Sequence, residues 1–342
     1  MESESGRIVV GYDGSPPSVA ALDWAAVEAE RRHLPLTVLY VVDRYVTDPR
    51  GQVEGTPEST GLPGLAARRR VRAGRVVAEA VRRARKTAGS IDITAMTHVA
   101  RVASTLIRSS RRSALLVVGT RGAGDVAAAH LGSVGFALSA HAQCPVVVVR
   151  GDSSQPPGPD RPVAVGVDGS IGAEAALEYA AQVAATASAD LIIIVAGRSS
   201  VPVGGDEAAA STPASTPTPA GGPILETMSG RDAQAAMASA VRVTTRLYPD
   251  LPVHERVVPG PALEALTAAA AGCGLLVVGA RGAGGVAGLM LGSVSHAVIH
   301  SAPCPVAVVR GGRNLADPRH LGYPEGLRES LEPGPRLPIT QA

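Results

Sequence analysis

Aromatic rings are almost missing from this chain. Phe, Trp and Tyr make up 2% of its 342 residues, with one Phe and one Trp. A chain this poor in rings has few platforms on which nucleic-acid bases stack. Its cores must be built from Ala, Val and Leu, which allow close helix-on-sheet contact. Lysine is scarcer still: Lys86 is the only one among 32 cationic residues. The arginine excess reads as compositional bias rather than as a set of bidentate sites. Three cysteines are too few for a disulfide scaffold and fit a reducing compartment. The formal charge of +2 gives no global reason to expect nucleic acid or an acidic membrane as a partner. No apolar run approaches the length of about 18 residues that a membrane span needs. The start, MESESGRIVVG, is acidic where a secretory signal is basic. The expectation is a soluble, cytoplasmic protein with no membrane or nucleic-acid partner.

Several catalytic signatures are also missing. There is no GxxxxGK[ST], and no lysine near a Gly-rich loop, which excludes a P-loop NTPase. The first strand runs into YDGS rather than GxGxxG, which argues against hydride transfer from a dinucleotide. No GxSxG nucleophile elbow is present. The histidines lack metal-ligand spacing; His296 and His300 are four apart but outside any HExxH context, and they read as surface or interface residues. Cys144 and Cys304 each precede a proline, Cys273 stands before a strand, and no CxxC exists, so all three read as small packing residues.

What the chain does have is an internal repeat. Residues 115–150 and 275–310 align without a gap at an offset of 160, with 23 of 36 positions identical. VVGYDGS at 9–15 and VAVGVDGS at 163–170 mark the two starts. The period of apolar residues predicts strands at 7–12, 36–42, 91–99, 114–119 and 145–150 in the first copy. Helices are expected at 18–31, 65–88, 103–110 and near 132–141. The second copy predicts strands near 162–167, 190–196, 252–258, 274–279 and 305–310, with a first helix near 173–186. Alternating strands and helices imply an α/β fold: two tandem open parallel five-stranded sheets, Rossmann-like, in the order 3-2-1-4-5, with helices on both faces. The expected units are 1–150 and 162–310, a Pro/Gly-rich linker at 151–161, and a largely disordered tail at 311–342. Residues 197–223, rich in Ser, Thr, Pro and Ala, are expected to form a mobile loop.

Ligand sites in such sheets lie beyond the carboxyl ends of the strands at the switch point. In both copies a Gly-rich loop follows the fourth strand. Gly119 and Gly122 lead to Gly132-Ser133; Gly279 and Gly282 lead at the same spacing to Gly292-Ser293. Glycines there let backbone amides approach an anion, and a helix start favours phosphate. The plainer alternative is that the glycines serve only a tight strand-to-helix turn. Asp13 and Asp168, at the ends of the first strands, would face these loops and touch a ribose or base; alternatively each caps the helix that follows. Val41 and Ala196, near the ends of the second strands, would border the base. Nine basic residues between 68 and 86, opposed by Glu79 alone, read as the solvated face of a helix.

The pattern Gly-x2-Gly-x9-Gly-Ser in both copies, with the strand-one Asp and the CPVxVV ending, resembles the universal stress protein family in its tandem form, over about residues 6–150 and 161–310. The resemblance implies the ATP-binding subclass, with Mg²⁺ as an open accompaniment. By residue match, ATP would be held in the first copy by Asp13, Gly119, Gly122, Gly132 and Ser133. Asp168, Gly279, Gly282, Gly292, Ser293 and Ser295 would hold it in the second. It also implies dimerisation through the last strand of each unit, which tandem copies can supply internally as a pseudo-dimer, and a role in stress or growth control rather than rapid catalysis. A homodimer and a protein partner stay open. The first copy departs from the pattern with Asp125, Gly135 and Arg101-Val102 where the second has Gly285, Ser295 and Gly260-Pro261. Tighter nucleotide binding by the second copy is therefore expected.

Overall fold

The computed structural model describes residues 6–43, 46–47, 53–55, 65–120, 132–150, 155–197, 228–284 and 290–311. The expected mobile loop beyond Gly197, Gly122, Asp125 and the tail beyond Gly311 lie outside the described residues. The first half runs β1 (Arg7–Gly11), α1 (Pro16–Arg32), β2 (Leu36–Asp43), β3 (Val46–Thr47), β4 (Val53–Gly55), α2 (Leu65–Thr87), β5 (Ile93–Ala100), α3 (Val102–Ser109), β6 (Ser113–Gly119), α4 (Ser133–His141) and β7 (Val146–Val149). The second runs β8 (Val163–Gly166), α5 (Ile171–Ala187), β9 (Leu191–Ala196), α6 (Gly230–Leu247), β10 (Val253–Val258), α7 (Ala262–Ala269), β11 (Leu275–Gly279), α8 (Ser293–Ser301) and β12 (Val306–Val309).

Each half keeps the expected order, with its first strand between the second and the fourth. The two sheets are not separate. Strands β10-β9-β8-β11-β12-β7-β6-β1-β2-β5 form one ten-stranded sheet, joined where β12 and β7 pair antiparallel with Ala307 opposite Val147. The reason lies in the strands themselves. VVVV and VAVV are buried along their whole length. Left as edges, they would expose apolar side chains and unpaired amides. The short hairpin β3-β4 stands in a stretch that reads from the sequence as irregular.

The inner strands are apolar on both faces because helices cover both, while the edge strands β5 and β10 are mostly exposed. Ile8 and Val10 of β1 pack with the α1, α2, α5 and α6 layer, while Val9 packs with the α3, α4, α7 and α8 layer. Helices α1 and α5 start alike. Ser15 accepts the amide of Ser18 at 3.4 Å and Ser170 that of Ala173 at 3.2 Å. Prolines 16 and 17 stand in the first turn of α1, where no helical donor is lost, so the helix starts two residues before the periodic pattern suggests.

Polar contacts also cross the join. Glu28, fully buried in α1, accepts Arg31 Nη1 at 3.0 Å and Arg32 Nε at 2.6 Å. Arg31 Nη2 donates to the carbonyl of Pro157 at 2.8 Å, and Arg32 Nη2 to the hydroxyl of Tyr179 in α5 at 3.3 Å. Burial disfavours the Arg32 charge, but Glu28 and Tyr179 more than compensate and hold its pKa above the ordinary value. On the other face Phe136 of α4 meets His296 of α8 edge to face, ring centroids 5.3 Å apart, and His296 meets His300 at 4.7 Å. The two histidines thus stand where the halves meet. Arg72, Arg75, Arg82, Arg85 and Lys86 of α2 face solvent, and Arg83 is held bidentately by Asp23 of α1 at 2.5 and 2.7 Å. Among the described residues, no helix is long and apolar enough to cross a membrane.

Candidate functional site

The switch point of the second half lies between β8 and β11, which pair in parallel with Val165 opposite Val277. Beyond their carboxyl ends, the chain after β8 turns through Gly169 at φ +77° into α5, and the chain after β11 enters the Gly-rich loop. Asp168 links the two. Its Oδ1 accepts the amide of Ser170 at 3.0 Å and the Ser170 hydroxyl at 2.6 Å, and its Oδ2 accepts the amide of Ala283 at 2.8 Å. The Asp does not cap α5. The cap is Ser170, and Asp168 orients it.

Two motif glycines are explained by this closeness. A Cβ on Gly282 would stand 2.3 Å from Asp168 Oδ2. One on Gly279 would stand 2.7 Å from the backbone of Gly172, in the first turn of α5. Gly172 in turn lies against the carbonyl of Arg281, 2.3 Å from where its own Cβ would be. Glycine at these three places lets the loop and the helix start touch. Gly292 is different. Its backbone is extended, φ −73° and ψ 155°, and an added Cβ would meet its nearest neighbour at an ordinary 3.5 Å. Among the described residues, neither backbone strain nor internal packing requires glycine there. It is also the N-cap of α8, and among the described residues no side chain caps that helix.

Around this cleft, Ser293 is exposed as the first residue of α8. Ser295 is buried and donates its hydroxyl to the carbonyl of Gly279 at 2.6 Å, fixing α8 to the end of β11. Ala196 is half-buried at the end of β9, beside β8. The first half repeats the plan. Asp13 Oδ1 accepts the Ser15 amide at 2.9 Å and hydroxyl at 2.6 Å, and β1 lies beside β6. A Cβ on Gly119 would stand 2.5 Å from the backbone of Pro17, as Gly279 meets Gly172. Gly132 is the extended N-cap of α4, without a side-chain cap, and Ser133 follows it exposed. Val41 of β2 is half-buried against the α3, α4 layer. Gly135 takes the place of Ser295 and is buried.

The structure therefore brings Asp168, Gly279, Gly282, Gly292 and Ser293 to one end of the sheet, and Asp13, Gly119, Gly132 and Ser133 to the matching end of the other half. Sequence reasoning missed the reach of Asp168 to Ala283, and it missed Arg310. Arg310 leaves β12 next to the loop, where its half-buried guanidinium donates to the Met290 carbonyl at 3.3 Å. The CPVxVV ending followed by arginine in both copies is the signal that could have found it. Among the described residues no group of three His, Cys, Asp or Glu side chains comes together as a metal site.

The model of the universal stress protein family matches twice, over residues 4–150 and 161–310. A universal stress protein of Mycobacterium tuberculosis is 35% identical over 325 residues, covering 91% of this chain and 97% of its own. One from Mycolicibacterium smegmatis is 34% identical over 310 residues, covering 89% of this chain and 96% of its own. Among solved structures, a universal stress protein from Archaeoglobus fulgidus shares the fold, with a TM-score of 0.62 at 20% identity over 91% of this chain and 98% of its own. Repeat, switch-point geometry and comparisons agree: the chain belongs to the universal stress protein family and carries two copies of the family's unit in tandem.

Proposed function

We propose that this chain binds an adenine nucleotide, ATP foremost, in the cleft between β8 and β11, and more weakly between β1 and β6, and that it acts as a nucleotide-dependent regulator in stress or growth control. The observation that carries the reading is Gly292. Among the described residues, a glycine that neither φ nor packing requires sits on an uncapped helix start, its amide bonded to Ala280 just beyond β11. A phosphate takes the place of the missing cap, and the absent Cβ lets it approach the backbone. The Asp168–Ala283 bond supports the same reading by holding the loop in place before any ligand arrives.

In this reading the nucleotide supplies the negative charge, and the chain supplies amides, the Ser293 hydroxyl and an ordered loop. Val41 and Ala196 border the base in the two clefts. Mg²⁺, where present, is left to the phosphates. Binding to the folded chain alone shifts stability and loop order by linkage, which is how a partner would sense occupancy. The first cleft is the weaker because Asp125 adds a carboxylate to its loop and Gly135 lacks the hydroxyl with which Ser295 ties α8 to the end of β11.

The test is mass spectrometry of small molecules released from freshly purified full-length chain, followed by titration with ATP and with adenosine. The expected result is an adenine nucleotide at one or two per chain, with ATP the tighter ligand. A chain that carries no nucleotide and takes up none on titration overturns the reading. A time course of phosphate release, run alongside, separates a binder from a slow ATPase.

A further inference from the structure

Two arginines stand side by side at the rim of the second cleft with no carboxylate paired to either among the described residues. The amide of Ala280 donates to the carbonyl of Val309 at 2.6 Å, so the next residues, Arg281 and Arg310, leave neighbouring strands together. Both guanidinium groups turn to one residue. Arg281 Nη2 lies 3.6 Å from Met290 Sδ, and Arg310 Nη2 donates to the Met290 carbonyl at 3.3 Å. Met290 stands two residues before Gly292, the N-cap of α8. A thioether and one carbonyl are weak partners for two full positive charges. Burial lowers the Arg310 pKa from its ordinary value, and the charge of Arg281 lowers it further. Like charges held together without a counterion oppose folding, and an anion placed between them reverses that cost.

We propose that Arg281 and Arg310 clamp the terminal phosphates of the nucleotide, so that the second cleft selects nucleoside di- and triphosphates over monophosphates. This rests on the reading of the cleft as a nucleotide site. Guanidinium groups are suited to the task because their planar forks match phosphate oxygens in pairs. The corresponding arginine of the first half is differently engaged. Arg150 Nη1 donates across the join to the carbonyl of Ala302 at 3.4 Å. The clamp is assigned to the second copy only, because Arg121, the counterpart of Arg281, lies outside the described residues.

The experiment is calorimetric titration of the full chain with ATP, AMP and inorganic tripolyphosphate, for the native sequence, Arg281→Gln, Arg310→Gln and the two lysine replacements. Melting temperature is recorded for each to show that the fold is kept. The expected result is tighter binding of ATP than AMP by the native chain. Each glutamine variant weakens ATP by about tenfold, the size of one charge-assisted hydrogen bond, and leaves AMP within about twofold. Lysine restores part of the loss. Tripolyphosphate binding far below that of ATP assigns the clamp to the nucleotide rather than to free polyphosphate, and equal binding overturns that assignment. Equal ATP and AMP affinities in the native chain, or variants that weaken both ligands alike, overturn the clamp while leaving the nucleotide site standing. A native chain that binds neither ATP nor AMP overturns the site and the clamp together.

Discussion

The carboxylate of Asp168 accepts the backbone amide of Ala283 at 2.8 Å, tying the end of β8 to the loop after β11. The two residues are 115 apart in sequence and meet only because the first and fourth strands are neighbours. Both carboxylate oxygens are used, one on Ser170 and one on the loop. The loop is thus ordered from the strand-one side, and the helix cap and the loop share one acceptor group.

Asparagine at position 168 cannot serve both sides, because its amide NH2 must face one N–H donor. Asp168→Asn is expected to lose the bond to Ala283 and to destabilise the chain by roughly 1.5–3 kcal/mol, the range for a hydrogen bond to a charged group. Amide exchange followed by mass spectrometry should show faster exchange in the peptide holding Ala283. Unchanged exchange there would mean that the loop is held by something else.

Gly282→Ala attacks the same contact from the other side. Its Cβ would stand 2.3 Å from Asp168 Oδ2, the end of a side chain that can rotate away. The expected cost is roughly 1–3 kcal/mol, with nucleotide affinity reduced. Because both changes break one bond, Asp168→Ala and Gly282→Ala combined should cost clearly less than their sum. Gly284→Ala is the control, since nothing among the described residues lies within 4 Å of an added Cβ, and it should be near neutral. Urea unfolding of the four variants decides the matter; additive costs would show two separate defects.

Much of this architecture can be read from residues alone, and the limits are physical. The switch from a period of two or a continuous apolar run to a helical period marks β1, α1 and β2 to within two residues, as it does β8, α5 and β9. The repeat places both Gly-rich loops after fourth strands, which sets Asp168 opposite Gly279. The use of each glycine is not legible, because it depends on which backbone approaches from elsewhere: Gly172 for Gly279, the Asp168 side chain for Gly282. Glu28 is hidden for the same reason. In the run EAERR it looks like the solvated end of α1, yet it is fully buried because α5 of the other half lies over it.

The buried cysteines make both halves sensitive to high pH, the second more so because Ser113 stands where it has Cys273. Burial pushes the thiols of Cys144 and Cys304 up to about 12 and that of Cys273 to about 11. Their unfolded counterparts titrate near about 8.5. The folded chain therefore holds protons that the unfolded chain releases. The contribution is whole below about pH 8.5 and is lost as pH rises toward the folded values, each thiol adding up to about 1.4 kcal/mol per pH unit to the slope. Stability measured by urea unfolding should fall above pH 9, and Cys144→Ala should make the fall less steep. A thiol reagent at pH 8 should label none of the three without denaturant; rapid labelling of Cys144 or Cys304 would contradict their packing role.

Glu28 is the residue whose loss should cost most. Its carboxylate has no exposed surface and the side chain of Arg32 has 6%, so Glu28→Ala strands a positive charge between α1 and α5. Arg31, at 19% exposed, can swing toward water; Arg32 is packed on the ring of Tyr179, 5.4 Å from its centroid, and cannot follow without opening the join. The expected destabilisation is about 3–5 kcal/mol, as for a buried ion pair deprived of one partner. Replacing both groups by apolar ones, Glu28→Leu with Arg32→Met, removes the stranded charge and should recover most of that loss. Urea midpoints for the single and double variants separate the two explanations. If the double variant is as unstable as Glu28→Ala, the pair contributes by holding the halves in register rather than by avoiding an unpaired charge.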